Sequence, residues 1–267
     1  MNLKTEEAKR YIRKQKINKI KILVAQLLIL FGFLLTWEIL SSKEIINSFL
    51  FSSPSSIFKL LKQYIQTGEL FNHIYISVYE TILGLIIGTS LGIIIAILLW
   101  WSKNLAKIMD PFLVVLNALP KTALAPIFII WAGTGVKGIV VVAVSISLIL
   151  TILSAYNYFK NVDEEKIKML KSFGATKWQI LTKLVLPSNI VNLVDITKIN
   201  IGMSWVGVIM GEFIVSRAGI GYLVVYGSQI FKLDLVMMGV FVLAIIAYIM
   251  YQIVNIIEKT LKKKISK

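Results

Sequence analysis

Lys121 stands between Pro120 and Pro126 inside a long apolar stretch. A lysine in such surroundings is costly unless it faces water, an acidic group or an anion. If the register shifts toward the end of the segment, the same side chain simply snorkels to the headgroups. Three acids share the apolar setting, Glu38, Glu80 and Glu212. Glu38 and Glu80 read as interfacial residues or polar contacts between helices. Glu212, near the outer end of its segment, can line a vestibule. Asp195 and Lys198, three residues apart, pair with each other or with lipid headgroups. No catalytic constellation is present: there is no cysteine, the single histidine, His73, cannot build a metal site alone, and no glycine-rich loop ends in Lys-Ser or Lys-Thr. The chain is therefore expected to have no catalytic residues, no metal and no cofactor of its own.

The chemistry must be positioned by elements that cross a bilayer. The sequence is 57% hydrophobic with a mean hydropathy of +0.79, arranged in long runs separated by short charged stretches. A hydrocarbon core of about 30 Å needs roughly 20 apolar residues per helix, and the qualifying stretches are 22–41, 76–101, 111–133, 138–158, 190–215 and 236–257. These six predict an all-α, polytopic membrane protein, with everything between the spans read as loop. The first span follows too many charges to be a cleaved signal and is expected to be a retained helix. Basic residues set the orientation. With the N-terminus inside, the inner segments hold eight in 1–21, two in 102–110, six in 159–189 and five in 258–267, 21 in all. The outer segments hold six, Lys43, Lys59, Lys62, Lys137, Arg217 and Lys232. Both termini are expected on the cytoplasmic side. The net charge of +15 is met by anionic lipid rather than nucleic acid, because the basic residues flank the apolar runs.

Within the spans, Gly84, Gly88 and Gly92 repeat every fourth residue, and Gly207 and Gly211 do the same, so both helices present flat stripes for close packing. Pro120 and Pro126 predict a kinked third span, which either borders a pathway or is a static bend. Pro120, Lys121, Pro126, Ser204 and Glu212 are the candidates for a translocation path. Trp37, Trp100 and Trp101 near span ends read as interface anchors.

The segment 159–189 is too long for a simple connection and is written as helix, turn and helix. Asp163 is a suitable N-cap, Glu164 and Glu165 place negative charge in the first turn, Lys168 and Lys171 follow, and Gly174 suits a left-handed stop. Ile167, Leu170 and Phe173 give this helix an apolar stripe. Thr176 can cap a second helix carrying Trp178, Leu181 and Val185, ended by Pro187. Such a stripe on the cytoplasmic face must be buried, in headgroups or in a partner's groove. Composition and spacing leave both open.

Gly174, followed by Leu184 and then Leu186-Pro187, resembles the cytoplasmic loop motif of permease subunits of bacterial ATP-binding-cassette importers, in which a Glu-Ala-Ala triplet precedes the glycine. Here the triplet place reads Lys168-Met169-Leu170, with Glu164 and Glu165 just upstream. Other segments are similar to the nitrate, sulfonate and taurine branch of that family: Ser53-Pro54-Ser55, Thr67-Gly68-Glu69-Leu70, Asp110-Pro111, the run Leu119 to Pro126, Trp131 to Gly135, Gly211-Glu212 and Gly219 to Leu223.

The resemblance implies a type I importer (MetI-like) permease fold in the bacterial cytoplasmic membrane. It divides the chain into a basic N-terminal segment 1–21, a first span with its external segment 22–70, an importer transmembrane domain 71–257 containing the loop 159–189, and a basic tail 258–267. It also implies two ATPase subunits that carry ATP and Mg, an external solute-binding protein or lipoprotein, and a second permease copy. Contact with the ATPase would fall to Glu164, Glu165, Ile167, Lys168, Met169, Leu170, Phe173, Gly174 and Ala175, with Leu184, Leu186 and Pro187 closing the loop. The solute would be a small anion such as a sulfonate, taurine or nitrate, although permeases for thiamine-precursor pyrimidines are similar. A gradient-driven transporter or channel is the competing class, but it leaves the long loop without a task and predicts repeated halves that the sequence lacks. A membrane scaffold would likewise leave the loop unexplained.

Overall fold

The computed structural model describes residues 6–265. A first helix, α1 (Glu6–Ser42), runs past the membrane-length apolar window, none of which is buried against the rest of the subunit. Its last turns are tied down by polar contacts: the Ser41 hydroxyl donates to the Ser52 carbonyl at 3.2 Å, and Glu38 Oε2 accepts the Ser55 amide at 3.0 Å. Glu38 thus satisfies a free donor at the start of the next helix.

The segment between the first two spans is not simple loop. It contains α2 (Ser48–Phe51) and the amphipathic α3 (Pro54–Gln66), which begins with Ser53 as N-cap and a proline in the first turn, where no amide partner is needed. The second span, α4 (Glu69–Trp101), follows.

The stretch read as a third span is two helices, α5 (Lys103–Ala118) and α6 (Lys121–Ala132), bent by 100° at their junction. The break follows from Pro120, whose ring disfavours helical backbone at Leu119; that residue is extended, with φ −64° and ψ 136°. Lys121 is the first residue after the break. Then come α7 (Val136–Lys160), α8 (Glu164–Ser172), α9 (Lys177–Ile180), a single π turn over Leu181–Val185, α10 (Leu186–Ser188), α11 (Ile190–Val215), α12 (Ile220–Gln229) and α13 (Leu233–Ile265). The helix α12 again occupies a segment read as loop. Among the described residues five helices are long and apolar enough to cross a membrane, and the bent α5–α6 pair makes up to six. The described residues contain no strand.

The centre of the bundle is α7, pressed between α4 and α11. A Cβ placed on Gly84 or Gly92 of α4 would meet Ala143 or Thr151 of α7 at 2.6 and 2.5 Å, and one on Gly88 would strike the Ser147 hydroxyl. From the other side, Gly207 and Gly211 of α11 lie against the α7 backbone at Ala143 and Ile139, at 2.5 and 3.0 Å from the same hypothetical atom. Helices in lipid gain little from hydrophobic burial against one another, so such close backbone contact and buried polar bonds supply the cohesion. Asn200 of α11 provides the latter, donating to Thr89 of α4 at 2.8 Å and Thr151 of α7 at 2.6 Å, all three buried.

Candidate coupling surface and translocation path

The loop 159–189 is built by local rules. The Asp163 carboxylate accepts the Glu165 amide at 2.9 Å to open α8, and Glu164 and Glu165 lie in its first turn. Lys168 reaches Glu164 at 4.0 Å and Lys166 reaches Asp163 at 3.9 Å; all four are exposed, and these pairs add little stability. At the other end Gly174 takes φ +77°, and the Ala175 amide returns to the Leu170 carbonyl at 3.0 Å, closing the helix. Thr176 and Gln179 form a reciprocal capping box that starts α9. Pro187 lacks an amide proton and its ring presses on the carbonyl four residues earlier, that of Lys183, and the chain widens into the π turn at that place.

The apolar stripe of α8 is divided. Ile167 and Leu170 turn inward, with Ala175, Leu184 and Leu186, onto a cluster containing Phe159, Ile180, Leu181, Val185 and Ile196. Met169 and Phe173 point away and are 52% and 80% exposed. Pro187, Glu164, Glu165 and Lys168 are exposed as well. The loop is therefore a packed platform that leaves Met169, Phe173 and Trp178 exposed among charges.

A contact that sequence reasoning missed locks this platform to the bundle. Lys177 donates to the Trp101 carbonyl at the end of α4, and its ammonium lies 5.8 and 5.3 Å from the ring centroids of Trp100 and Trp101. Trp178 adds a ring contact to Trp101 at 6.4 Å. The tryptophans read as interface anchors hold a cation, an arrangement worth about 0.5–2 kcal/mol. Nothing in the local sequence pairs residues 76 apart.

The candidate path residues are not gathered within one subunit. Lys121 is half-buried at the α5–α6 break, where its ammonium donates to the Asn117 carbonyl at 3.0 Å, and Pro120 and Pro126 are exposed. Ser204 and Glu212 are instead buried inside the helix packing at 0% and 1% exposure. The Ser204 hydroxyl has no hydrogen-bond partner among the described residues. Glu212 accepts the Ser77 hydroxyl at 2.5 Å and the Gly221 amide at 2.6 Å, and it meets Glu80 of α4. Ser77, Glu80, Gly84, Gly88 and Gly92 recur at three- and four-residue spacing, so one small and polar face of α4 was readable, but its acidic partner on α11 was not. In the first half of α11, Lys198 pairs with Asp195 at 2.9 Å and with Glu258 of α13. No group of three or more metal-ligating side chains occurs among the described residues.

The described residues form a helical bundle that carries a packed platform built from the 159–189 loop. Residues 88–267 match the family of binding-protein-dependent transport system inner membrane components, and the chain belongs to it. It is a multi-pass membrane protein and a permease component of an ATP-driven importer. Membership implies ATPase and binding-protein partners and does not favour the gradient-driven alternative.

Among its relatives, the permease SsuC of Bacillus subtilis, assigned to aliphatic sulfonates transport, is 27% identical over 85% of this chain and 82% of its own length. The formylaminopyrimidine transport permease ThiX of Halalkalibacterium halodurans is 28% identical over 70% and 74%. The taurine transport permease TauC of Escherichia coli is 24% identical over 81% of each. The fold is that of the MetNI methionine ABC transporter, with a TM-score of 0.64 at 17% identity over 72% of this chain and 95% of that one. This agrees with the MetI-like fold that the motifs imply.

Proposed function

We propose that the chain, as a homodimer with both termini cytoplasmic, forms the path of an importer for a small organic anion of the sulfonate or taurine type. Two ATPase subunits beneath it bind ATP and Mg, and an external binding protein or lipoprotein delivers the solute. The observation that carries the coupling role is the exposure of Met169 and Phe173 on a platform whose Ile167 and Leu170 pack inward onto the bundle. An aromatic residue 80% exposed at the end of a helix that also presents Glu164, Glu165 and Lys168 fits a groove in a partner protein better than open water.

ATP-driven closure of the ATPases moves both copies of α8. The movement reaches α11 through Gly174, the π turn and Pro187, and the path opens outward; after hydrolysis it opens inward. Lys121 at the α5–α6 break supplies positive charge for an anion, and Pro120 and Pro126 keep that backbone irregular beside the path. The sulfonate and taurine relatives support this solute class.

The test is purification of the tagged protein in mild detergent from its own cells. An ATP-binding-cassette ATPase should accompany it, and Phe173→Ala should weaken that association about tenfold to a hundredfold, the equivalent of about 1.5–3 kcal/mol for a buried Phe side chain. Association unaffected by Phe173→Ala would remove the coupling assignment. Taurine or alkanesulfonate uptake that persists in a deletion strain would remove the solute assignment while leaving the coupling role intact.

A further inference from the structure

The turn between α11 and α12 is held to the outer end of α4 by a cluster that the transport cycle above does not use. Glu80 of α4 and Glu212 of α11 are each 1% exposed and lie in hydrogen-bond contact with one another. Around them the turn is stitched down. The Ser77 hydroxyl donates to Glu212 and accepts the Ile220 amide at 2.8 Å. The Gly221 amide donates to the second Glu212 oxygen, and the Gly219 amide donates to His73 Nδ1 at 3.0 Å. The His73 ring stacks on Tyr222 at 6.1 Å. Gly219, at φ +116°, brings the backbone so close that a side-chain carbon there would collide with the Glu212 carboxyl.

An ionised carboxylate only accepts hydrogen bonds, so two carboxyl groups in contact need a proton between them. Two adjacent negative charges in a buried site cannot both persist. Among the described residues no ion pair to either glutamate occurs. Arg217 in the turn and Lys137 at the start of α7 are exposed. The α7 residues facing Glu212's helix, Ile139 and Ala143, are apolar, and Glu69 on α4 adds only a further negative charge, near His73. Glu212 already accepts the Ser77 hydroxyl and the Gly221 amide, whereas Glu80 Oε2 is buried without a partner among the described residues. The proton therefore belongs to Glu80.

We propose that Glu80 and Glu212 form a proton-binding site, with one proton held by Glu80 and donated to Glu212, that clamps the 216–222 turn onto α4. Release of the proton to water leaves two carboxylates facing each other, and their repulsion frees the turn and the adjoining end of α12. Proton binding thus favours the docked arrangement, and alkaline conditions release it.

The protein in nanodiscs provides the test. Its infrared spectrum should contain the carbonyl stretch of a buried carboxylic acid that shifts on carbon-13 labelling of glutamate and disappears in Glu80→Gln. Because the chain has no cysteine, Ala218→Cys gives a unique thiol in the turn, and Lys43→Cys gives an exposed control for the pH dependence of the reagent. The ratio of maleimide labelling at 218 to that at 43 should rise severalfold between about pH 6 and about pH 9, the range in which buried glutamic acids ionise. Glu80→Gln should abolish that rise. Absence of the acid band in the otherwise unaltered protein overturns the proposal even if Glu80→Gln fails to fold. So does labelling that is independent of pH, or that follows sodium concentration at fixed pH and so marks a sodium site.

Discussion

Ala143 of α7 is wedged between two glycines, and the two sides should respond differently to the same added methyl. A Cβ on Gly84 would lie 2.6 Å from the Ala143 Cβ, with the next atom, Cα, at 3.8 Å; ordinary contact begins near 3.4 Å. A Cβ on Gly207 would lie 2.5 Å from the Ala143 Cα and 3.0 Å from its amide nitrogen. Because α7 is held on both sides it cannot retreat from either, and Gly84→Ala and Gly207→Ala should each cost about 1–3 kcal/mol. Ala143→Gly removes the atom that blocks the Gly84 methyl but not the backbone that blocks the Gly207 methyl. By itself it should cost about 2 kcal/mol, from a lost methyl and a poorer helix former. The double variant with Gly84→Ala should then show a favourable coupling of about 1–2 kcal/mol, and the one with Gly207→Ala a coupling of about zero. Gly202→Ala, with nothing within 4 Å, is the control on α11 and should be near neutral. Thermal unfolding in detergent, followed by tryptophan fluorescence, measures all of these. Equal rescue of both glycine variants by Ala143→Gly, or no destabilisation by either methyl, would refute the wedge.

Gly174→Val should separate ATP hydrolysis from uptake. The site has open space but φ +77°, so the cost is backbone strain of about 1–2 kcal/mol or more, falling on the closure of α8 rather than on membrane insertion. Reconstituted vesicles should retain ATPase activity with reduced uptake, and normal uptake would count against the lever. Lys198→Met should destabilise the α11–α13 contact by about 1–3 kcal/mol, below the range for fully buried pairs because Asp195 is 37% exposed. Adding Glu258→Met should recover part of the loss in the same thermal assay.

The membrane class, the approximate spans and the helix-turn-helix form of the 159–189 loop could be read from the chain because each depends on neighbours in sequence. Apolar run length is a local property, and so are the cap at Asp163, the left-handed turn at Gly174 and the capping box at Thr176. The glycine spacing likewise marks a close-packing face without naming its partner. What the tertiary structure decided lies between segments distant along the chain. It divided the α8 stripe into Ile167 and Leu170 facing the bundle and Phe173 facing out, because only the position of Phe159 and Ile180 determines which side is core. It made helices of 54–66 and 220–229, which are too short to span a membrane and take their burial from α13 and α4. It put Lys177 on the tryptophans of α4 and buried Glu80 against Glu212. The energy of a charge depends on what surrounds it, and for these residues the surroundings come from helices that the local sequence does not contain.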